Sequence, residues 1–197
     1  MSSAKIGLVL ASGSPRRRDL LEEFGYDFTV TKPEVEEVED MSIPIRELTS
    51  HNARLKAEAV AKSSPESTVI AADTLVLLGD TVLSKPLDQE EASRMLDSLN
   101  GKSHQVFTAV TILNLSRDKE EDFTVTTDVH FKTLSPQEQA EYHQKINPMD
   151  KAGAYAAQEH GELIIDRIEG SMTNVIGLPM DEVREVLLKE FDISPDQ

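Results

Sequence analysis

The chain contains no cysteine. That absence excludes a disulfide framework, a thiolate metal site and a thiol nucleophile, and it agrees with a reducing compartment. Long hydrophobic runs are missing as well, since no apolar stretch approaches the roughly 20 residues that span a bilayer. Residues Met1 to Leu10 lack the long apolar segment and small-residue cleavage site of a signal peptide, so the expected location is cytoplasmic, with no membrane partner. Basic residues are scarce: 20 Lys and Arg stand against 36 Asp and Glu, a net charge of -16. Nonspecific attraction to nucleic acid is therefore disfavoured. An anionic ligand must be held locally, by a cluster of the few basic side chains or by a divalent metal that bridges carboxylates to phosphate. The five histidines (His51, His104, His130, His143, His160) show neither H-x-x-x-H nor H-x-x-E spacing, which disfavours zinc. No G-x-S-x-G elbow and no Walker loop are present.

What is present is a composition near the globular average, 39% hydrophobic and 28% charged. At 197 residues the chain fits one domain or two small lobes that share a core. Ile6 to Leu10 reads as a strand. Ser14 can cap the helix that follows, with Pro15 at its first position, where a missing N–H costs nothing. That helix runs over Arg16 to Phe24 and stops at Gly25, and Tyr26 to Val30 reads as a second strand. After the acidic run Glu34 to Asp40, apolar residues recur at helical spacing from Ile45 to Lys62. Val69 to Leu78 is a buried strand interrupted by Asp73 and Thr74, and Gly79-Asp80 turns it into Thr81 to Leu83. Asp88 and Glu91 have capping-box-like spacing for a helix that ends at Gly101. His104 to Leu113 and Asp122 to Lys132 read as a long hairpin, and Ser135 opens a helix to about Lys145. Asp150 to Gly161 is a small-residue loop, Leu163 to Ile168 a strand, and Pro179 opens a final helix to Phe191. Strands and helices alternate in the first half, so the class is α/β with a mixed sheet, and no linker divides residues 1–197.

Four segments carry residues suited to chemistry. The Ser12-Gly13-Ser14-Pro15-Arg16-Arg17-Arg18 junction can hold phosphate, because a helix N-terminus presents N–H donors and partial positive charge and arginine adds forked donors. It can equally be an ordinary helix start with a solvated basic face. Asp73 lies in an apolar strand, where a bare carboxylate is expensive, so a metal, a cation or hydrogen bonds must satisfy it. It can orient and deprotonate water, or merely cap a loop. Lys85 is biased to an extended backbone by Pro86, and Lys56 lies on the long helix; each lysine alone fits a surface position equally well. Glu36 and Glu37 sit in the acidic run. With Asp73, a glutamate could hold Mg²⁺ or Mn²⁺, although acidic runs are commonly solvated. Gln158 can donate and accept together, which suits a pyrimidine edge.

Taken together, the segments resemble the Maf family of nucleotide pyrophosphatases. The matching pieces are Leu8-Val9-Leu10-Ala11-Ser12-Gly13-Ser14-Pro15-Arg16-Arg17, Ala72-Asp73-Thr74, Lys85-Pro86, Ser103-His104-Gln105-Val106-Phe107-Thr108, Pro148-Met149-Asp150-Lys151-Ala152-Gly153-Ala154-Tyr155 and Val175-Ile176-Gly177-Leu178-Pro179, in the family's order. The resemblance implies a Maf/inosine-triphosphatase-like α/β fold, with a twisted mixed sheet and two lobes flanking a central cleft, and a homodimer. It implies hydrolysis of a nucleoside triphosphate to the monophosphate and pyrophosphate with a divalent metal cofactor, Mg²⁺, Mn²⁺ or Co²⁺. Asp73 matches the general base and a metal position, Glu36 an acidic metal position, and Ser12, Arg16, Arg17, Lys56 and Lys85 phosphate-binding positions. Arg16, Thr74 and Gln158 match the markers of the dTTP/UTP subgroup. The alternatives are a 7-methyl-GTP or broad noncanonical hydrolase, and a nucleotide-sensing regulator of cell division and septum formation. Ala156-Ala157-Gln158-Glu159 departs from the usual Gly-Ile-Gln-Gly and adds a charge beside the base marker.

Replacing Gln158 with alanine is expected to flatten the preference for UTP over other triphosphates more than it lowers the maximal rate. A panel of triphosphates with pyrophosphate release as the readout checks this, and an unchanged substrate ranking would remove Gln158 from base recognition.

Overall fold

The computed structural model describes residues 7–40 and 42–195, so Ile6 of the first predicted strand lies outside them. The elements run β1 (Leu8–Leu10), α1 (Pro15–Glu23), β2 (Thr29–Val30), α2 (Ile45–Ala61), β3 (Thr68–Leu78), β4 (Thr81–Leu83), α3 (Gln89–Leu99), β5 (Ser103–Asn114), β6 (Lys119–Phe131), α4 (Pro136–His143), β7 (Ile165–Glu169), α5 (Met172–Ile176) and α6 (Met180–Phe191). The seven strands form one mixed sheet in the order β2-β1-β3-β5-β6-β7, with β4 on β3. Strand β1 is parallel to both β2 and β3, whereas β4 on β3 and β7 on β6 are antiparallel. This is the mixed α/β class expected from the sequence. Among the described residues, no helix is long and apolar enough to cross a membrane.

Local chemistry explains most boundaries. Pro15 occupies the first turn of α1, as expected, but Ser14 makes no side-chain cap. The carboxylate of Asp88 accepts from the Glu91 N–H at 2.7 Å, and Glu91 reaches back to the N–H of Leu87 rather than that of Asp88. Ser135 and Glu138 close a full capping box on α4. Strand β2 is only two residues long, shorter than the predicted Tyr26 to Val30, because Tyr26 instead closes the end of α1 through its N–H to Leu21. Strand β6 begins at Lys119, inside the predicted turn, and α5 carries no periodic signal at its length.

The described residues divide into two compact units: those up to 73, 108–124 and those from 177 onward form the first, and 74–107 and 125–176 the second. Three of the four divisions fall within β3, β5 and β6, and the fourth lies between α5 and α6. The first unit's core includes Val9, Ala11, Ala57, Val60, Val69, Ala71 and Leu113, which joins strands β1 and β3 to the apolar face of α2. Its rim is tied by Asn114, whose amide donates to Glu66 O at 3.2 Å and Thr68 Oγ1 at 3.3 Å, and by Arg117, which pairs with Asp192 at 2.9 Å.

In the second unit, Leu83, Met95, Leu96, Leu99, Val129 and Ile164 pack around an aromatic group. Full burial of each such aliphatic side chain contributes about 1.5–3 kcal/mol. His104, Phe131 and Tyr155 meet edge to face with ring centroids 4.8–5.3 Å apart. The ring of His104 is bonded through Nε2 to the Tyr155 hydroxyl at 2.8 Å, while its Nδ1 is buried without a partner. Burial pushes the His104 imidazole down to about 4, assisted by the charge of His130 and opposed by Asp128.

A histidine depressed in the folded state takes up its proton on unfolding first as pH falls. Stability is therefore expected to be full above pH 6.5 and to decline as pH drops from 6.5 towards 4, by about 3 kcal/mol from this group. Urea midpoints measured across that window check the slope, and His104→Gln is expected to remove it.

Candidate functional site

The parallel pairing of β1 with β3 sets Leu10 opposite Ile70. Ser12 therefore lies two residues beyond that pair and Asp73 three beyond it, both past the carboxyl end of β1, the end of such strands where ligands bind in α/β sheets. The join is tightened by the Ala11 N–H donating to Ile70 O at 2.7 Å. Ser12 is buried, and its Oγ accepts from the Ser14 N–H at 3.1 Å. The hydroxyl thus organises the turn into α1, a role close to the cap expected of Ser14.

The basic run beyond it divides by helical geometry. Arg17 donates from Nε to Gly177 O at 2.8 Å and from Nη1 to Ser12 Oγ at 3.4 Å. Burial lowers its guanidinium below the ordinary arginine value; the Asp73 and Glu37 charges act in the opposite sense, and Arg16 acts with the burial. Arg16 is partly exposed in the first turn, while Arg18 lies on the surface paired with Asp19 at 2.8 Å and Glu22 at 3.7 Å. One arginine of the run is thus an ordinary solvated residue, and two belong to the turn.

Asp73 is satisfied by a cation, one of the three outcomes its burial demanded. Lys56 Nζ lies 2.7 Å from Asp73 Oδ1, with the two side chains only 8% and 10% exposed. Lys56 is thus not the surface residue that a lone helical lysine suggests. It occupies the inward stripe of α2 made by Leu48, Asn52, Ala53, Lys56, Ala57 and Val60, spaced three and four residues apart. The same Nζ lies 2.6 Å from Glu37 Oε2. One ammonium therefore joins two carboxylates.

Glu36, the residue expected to serve a metal, and its neighbour Glu37 are both exposed, and Glu37 is the one brought to Lys56. The backbone explains the choice. Asn52 takes the Val38 N–H on Oδ1 at 2.8 Å and donates Nδ2 to Val38 O at 3.0 Å, which fixes the acidic segment along α2. Among the described residues no group of three or more His, Cys, Asp or Glu side chains converges as a metal cage. Two carboxylates of the first unit nevertheless share one centre, and that set matches the way Mg²⁺ is held, by one or two carboxylates with substrate phosphate completing the shell.

Lys85, Thr74 and Gln158 belong to the second unit. Lys85 is exposed after β4 with Pro86 buried behind it, and the preceding Ser84 O accepts from Gly153 N–H at 3.1 Å. Gln158 is exposed on a segment that α4 grips from behind. Tyr142 Oη accepts from Ala156 N–H at 2.9 Å and donates to Ala156 O at 3.1 Å. Buried Lys151 donates to Asn147 O and Asp150 Oδ1, each at 2.9 Å, and lies 3.7 Å from Glu159. Ala156 and Glu159, which replace the usual glycines, are absent from the residues with positive φ, so the substitutions cost no backbone strain. The predicted loop contains 3₁₀ turns at Pro148–Asp150, Ala152–Ala154 and Gly161–Leu163, the last displacing the start of β7 from Leu163 to Ile165. Sequence reasoning missed Asn52 and the Gly177 carbonyl. Only Asn52 left a signal, a polar residue on the apolar face one turn before Lys56.

Fold and centre together define a class: an α/β protein whose buried, lysine-paired aspartate lies within a central strand and whose first strand runs through a serine turn into an arginine-bearing helix. A family model described as Maf-like protein matches residues 7–190. The chain belongs to the Maf family. It is 47% identical over 180 residues to a dTTP/UTP pyrophosphatase of Akkermansia muciniphila, covering 91% of this chain and 94% of that protein. It is 42% identical over 187 residues to a dTTP/UTP pyrophosphatase of Vibrio parahaemolyticus (94% and 97%), and 38% identical over 189 residues to one of Clostridioides difficile (96% and 97%). Among solved structures it is similar to the Staphylococcus aureus Ham1 protein, with a TM-score of 0.45 and 20% identity over 64% of this chain and 71% of that one.

Removing one member of a buried ion pair leaves the other charge without compensation. Lys56→Met is expected to cost about 3 kcal/mol in urea unfolding. Lys56→Met combined with Asp73→Asn is expected to recover much of that loss, and equal destabilisation in the single and double variants would show that the pair is not what Lys56 contributes.

Proposed function

We propose that the chain is a nucleotide pyrophosphatase that hydrolyses dTTP and UTP to the monophosphate and pyrophosphate. The observation that carries this reading is the buried Asp73 held at 2.7 Å from Lys56, on a chain whose 38–47% identical relatives bear the name dTTP/UTP pyrophosphatase. Asp73 takes the proton of a water whose oxygen attacks the α-phosphorus. The bond between that phosphorus and the bridging oxygen breaks, and pyrophosphate leaves. Lys56 supplies the counter-charge that holds Asp73 in place and keeps Glu37 beside it. Positioning and charge stabilisation provide most of the acceleration, as in other phosphoryl chemistry.

Ser12, Arg16, Arg17 and Lys85 contact the phosphates on this reading, with the α1 N-terminus adding N–H donors. Arg17 does so while bracing the turn against Gly177. Arg16, Thr74 and Gln158 set the preference for a pyrimidine base. Asp73 and Glu37 would hold the divalent cation, Mg²⁺, Mn²⁺ or Co²⁺, in place of the Glu36 assignment. When bound, the cation neutralises charge on the phosphate oxygens. The same reading treats residues 1–197 as one functional domain, active as a homodimer in the cytoplasm. The net charge of -16 supports a small nucleotide rather than a nucleic acid as ligand.

Asp73→Asn is expected to fold and bind nucleotide, because Lys56 keeps its pairing with Glu37, while pyrophosphate release from UTP falls by about a hundred to ten thousand fold. Release near the parent rate would exclude Asp73 as the base.

A further inference from the structure

The acidic segment that delivers Glu37 has no regular secondary structure of its own: among the described residues, no helix or strand lies between β2 and the start of α2. Such a segment needs an outside anchor to hold one carboxylate at a fixed place. We infer that Asn52 is a positioning residue for the reaction, acting through Glu37. The inference rests on the proposed role of the Glu37, Lys56 and Asp73 centre.

Three observations converge on it. Asn52 is a polar residue 4% exposed on the inward stripe of α2, a position where an amide is costly unless both its groups are bonded. Both are: Oδ1 accepts from Val38 N–H at 2.8 Å and Nδ2 donates to Val38 O at 3.0 Å, so the amide pairs with one residue as a neighbouring strand would. Asn52 also lies one helical turn before Lys56, and Val38 immediately follows Glu37. The two anchors on α2, an amide for the backbone and an ammonium for the carboxylate, therefore grip adjacent residues of the segment. A single contact to Lys56 would leave the segment free to exchange Glu36, Glu37 and Glu39 at that ammonium. The two-point clamp removes that freedom and selects Glu37. Asn52 itself reaches neither Lys56 nor Asp73 by a hydrogen bond, so its effect is on where Glu37 stands, not on the reacting atoms.

A double-mutant cycle on the full chain tests this, using Asn52→Ala, Glu37→Gln and the two combined, with pyrophosphate release from UTP measured over a Mg²⁺ titration. Each single variant is expected to lower kcat by on the order of tenfold and to raise the Mg²⁺ concentration needed for half-maximal rate, the usual range for groups that orient a metal-site carboxylate. The double variant is expected to be no slower than Glu37→Gln alone. Losses that multiply, or Asn52→Ala with parent kcat and Mg²⁺ dependence beside an impaired Glu37→Gln, would overturn the positioning role and leave the proposed centre standing. Parent activity in Glu37→Gln would overturn the reading of the centre. Asn52→Leu, which keeps the buried volume, repeats the cycle if the alanine variant does not fold; Asn52→Asp, which retains the acceptor for Val38 N–H, is expected to fall between Asn52→Ala and the parent.

Discussion

The structure turns on one ammonium group. Lys56 sits almost wholly out of water with the carboxylates of Asp73 and Glu37 at 2.7 and 2.6 Å. A buried charge of either sign is tolerable only with a partner and good geometry. Here the partners come from three places in the chain: a helix, a central strand and an irregular acidic segment. The centre therefore forms only when α2 packs on the sheet and the segment lies along α2. Its existence ties the geometry of the centre to the first unit's core packing.

That dependence explains the polar contacts around the centre, which hold its irregular segments in place. Ser12 organises the turn into α1, Arg17 bridges that turn to Gly177, and Asn52 binds the acidic segment. Each is a side chain bonded to backbone, the arrangement that holds irregular chain in place where no ladder of strand or helix bonds can do so. The second unit follows the same logic around Tyr142 and Lys151, which fix the segment carrying Gln158 from behind and leave its amide exposed.

Much of the fold was legible beforehand because its signals are local. The apolar face of α2, the mostly apolar run of β3, the Gly79-Asp80 turn and the caps of α3 and α4 depend on residues within a few positions of one another. Where prediction and structure differ, a competing backbone bond intervened or the element was too short for a period. Tyr26 closes α1 instead of extending β2, and α5 has only five residues.

The residue types and spacings of this chain were sufficient to establish the α/β class, the turn at Ser12 to Arg17, the need of Asp73 for a partner, and the family resemblance, since each is written in contiguous segments. Which partner Asp73 takes was not written there. Nor was the choice of Glu37 over Glu36, because neighbouring glutamates in an irregular run share composition and have no period to separate them. Both followed from long-range packing: Lys56 reaches Asp73 across 17 positions and Asn52 reaches Val38 across 14, and burial then made each of those contacts obligatory.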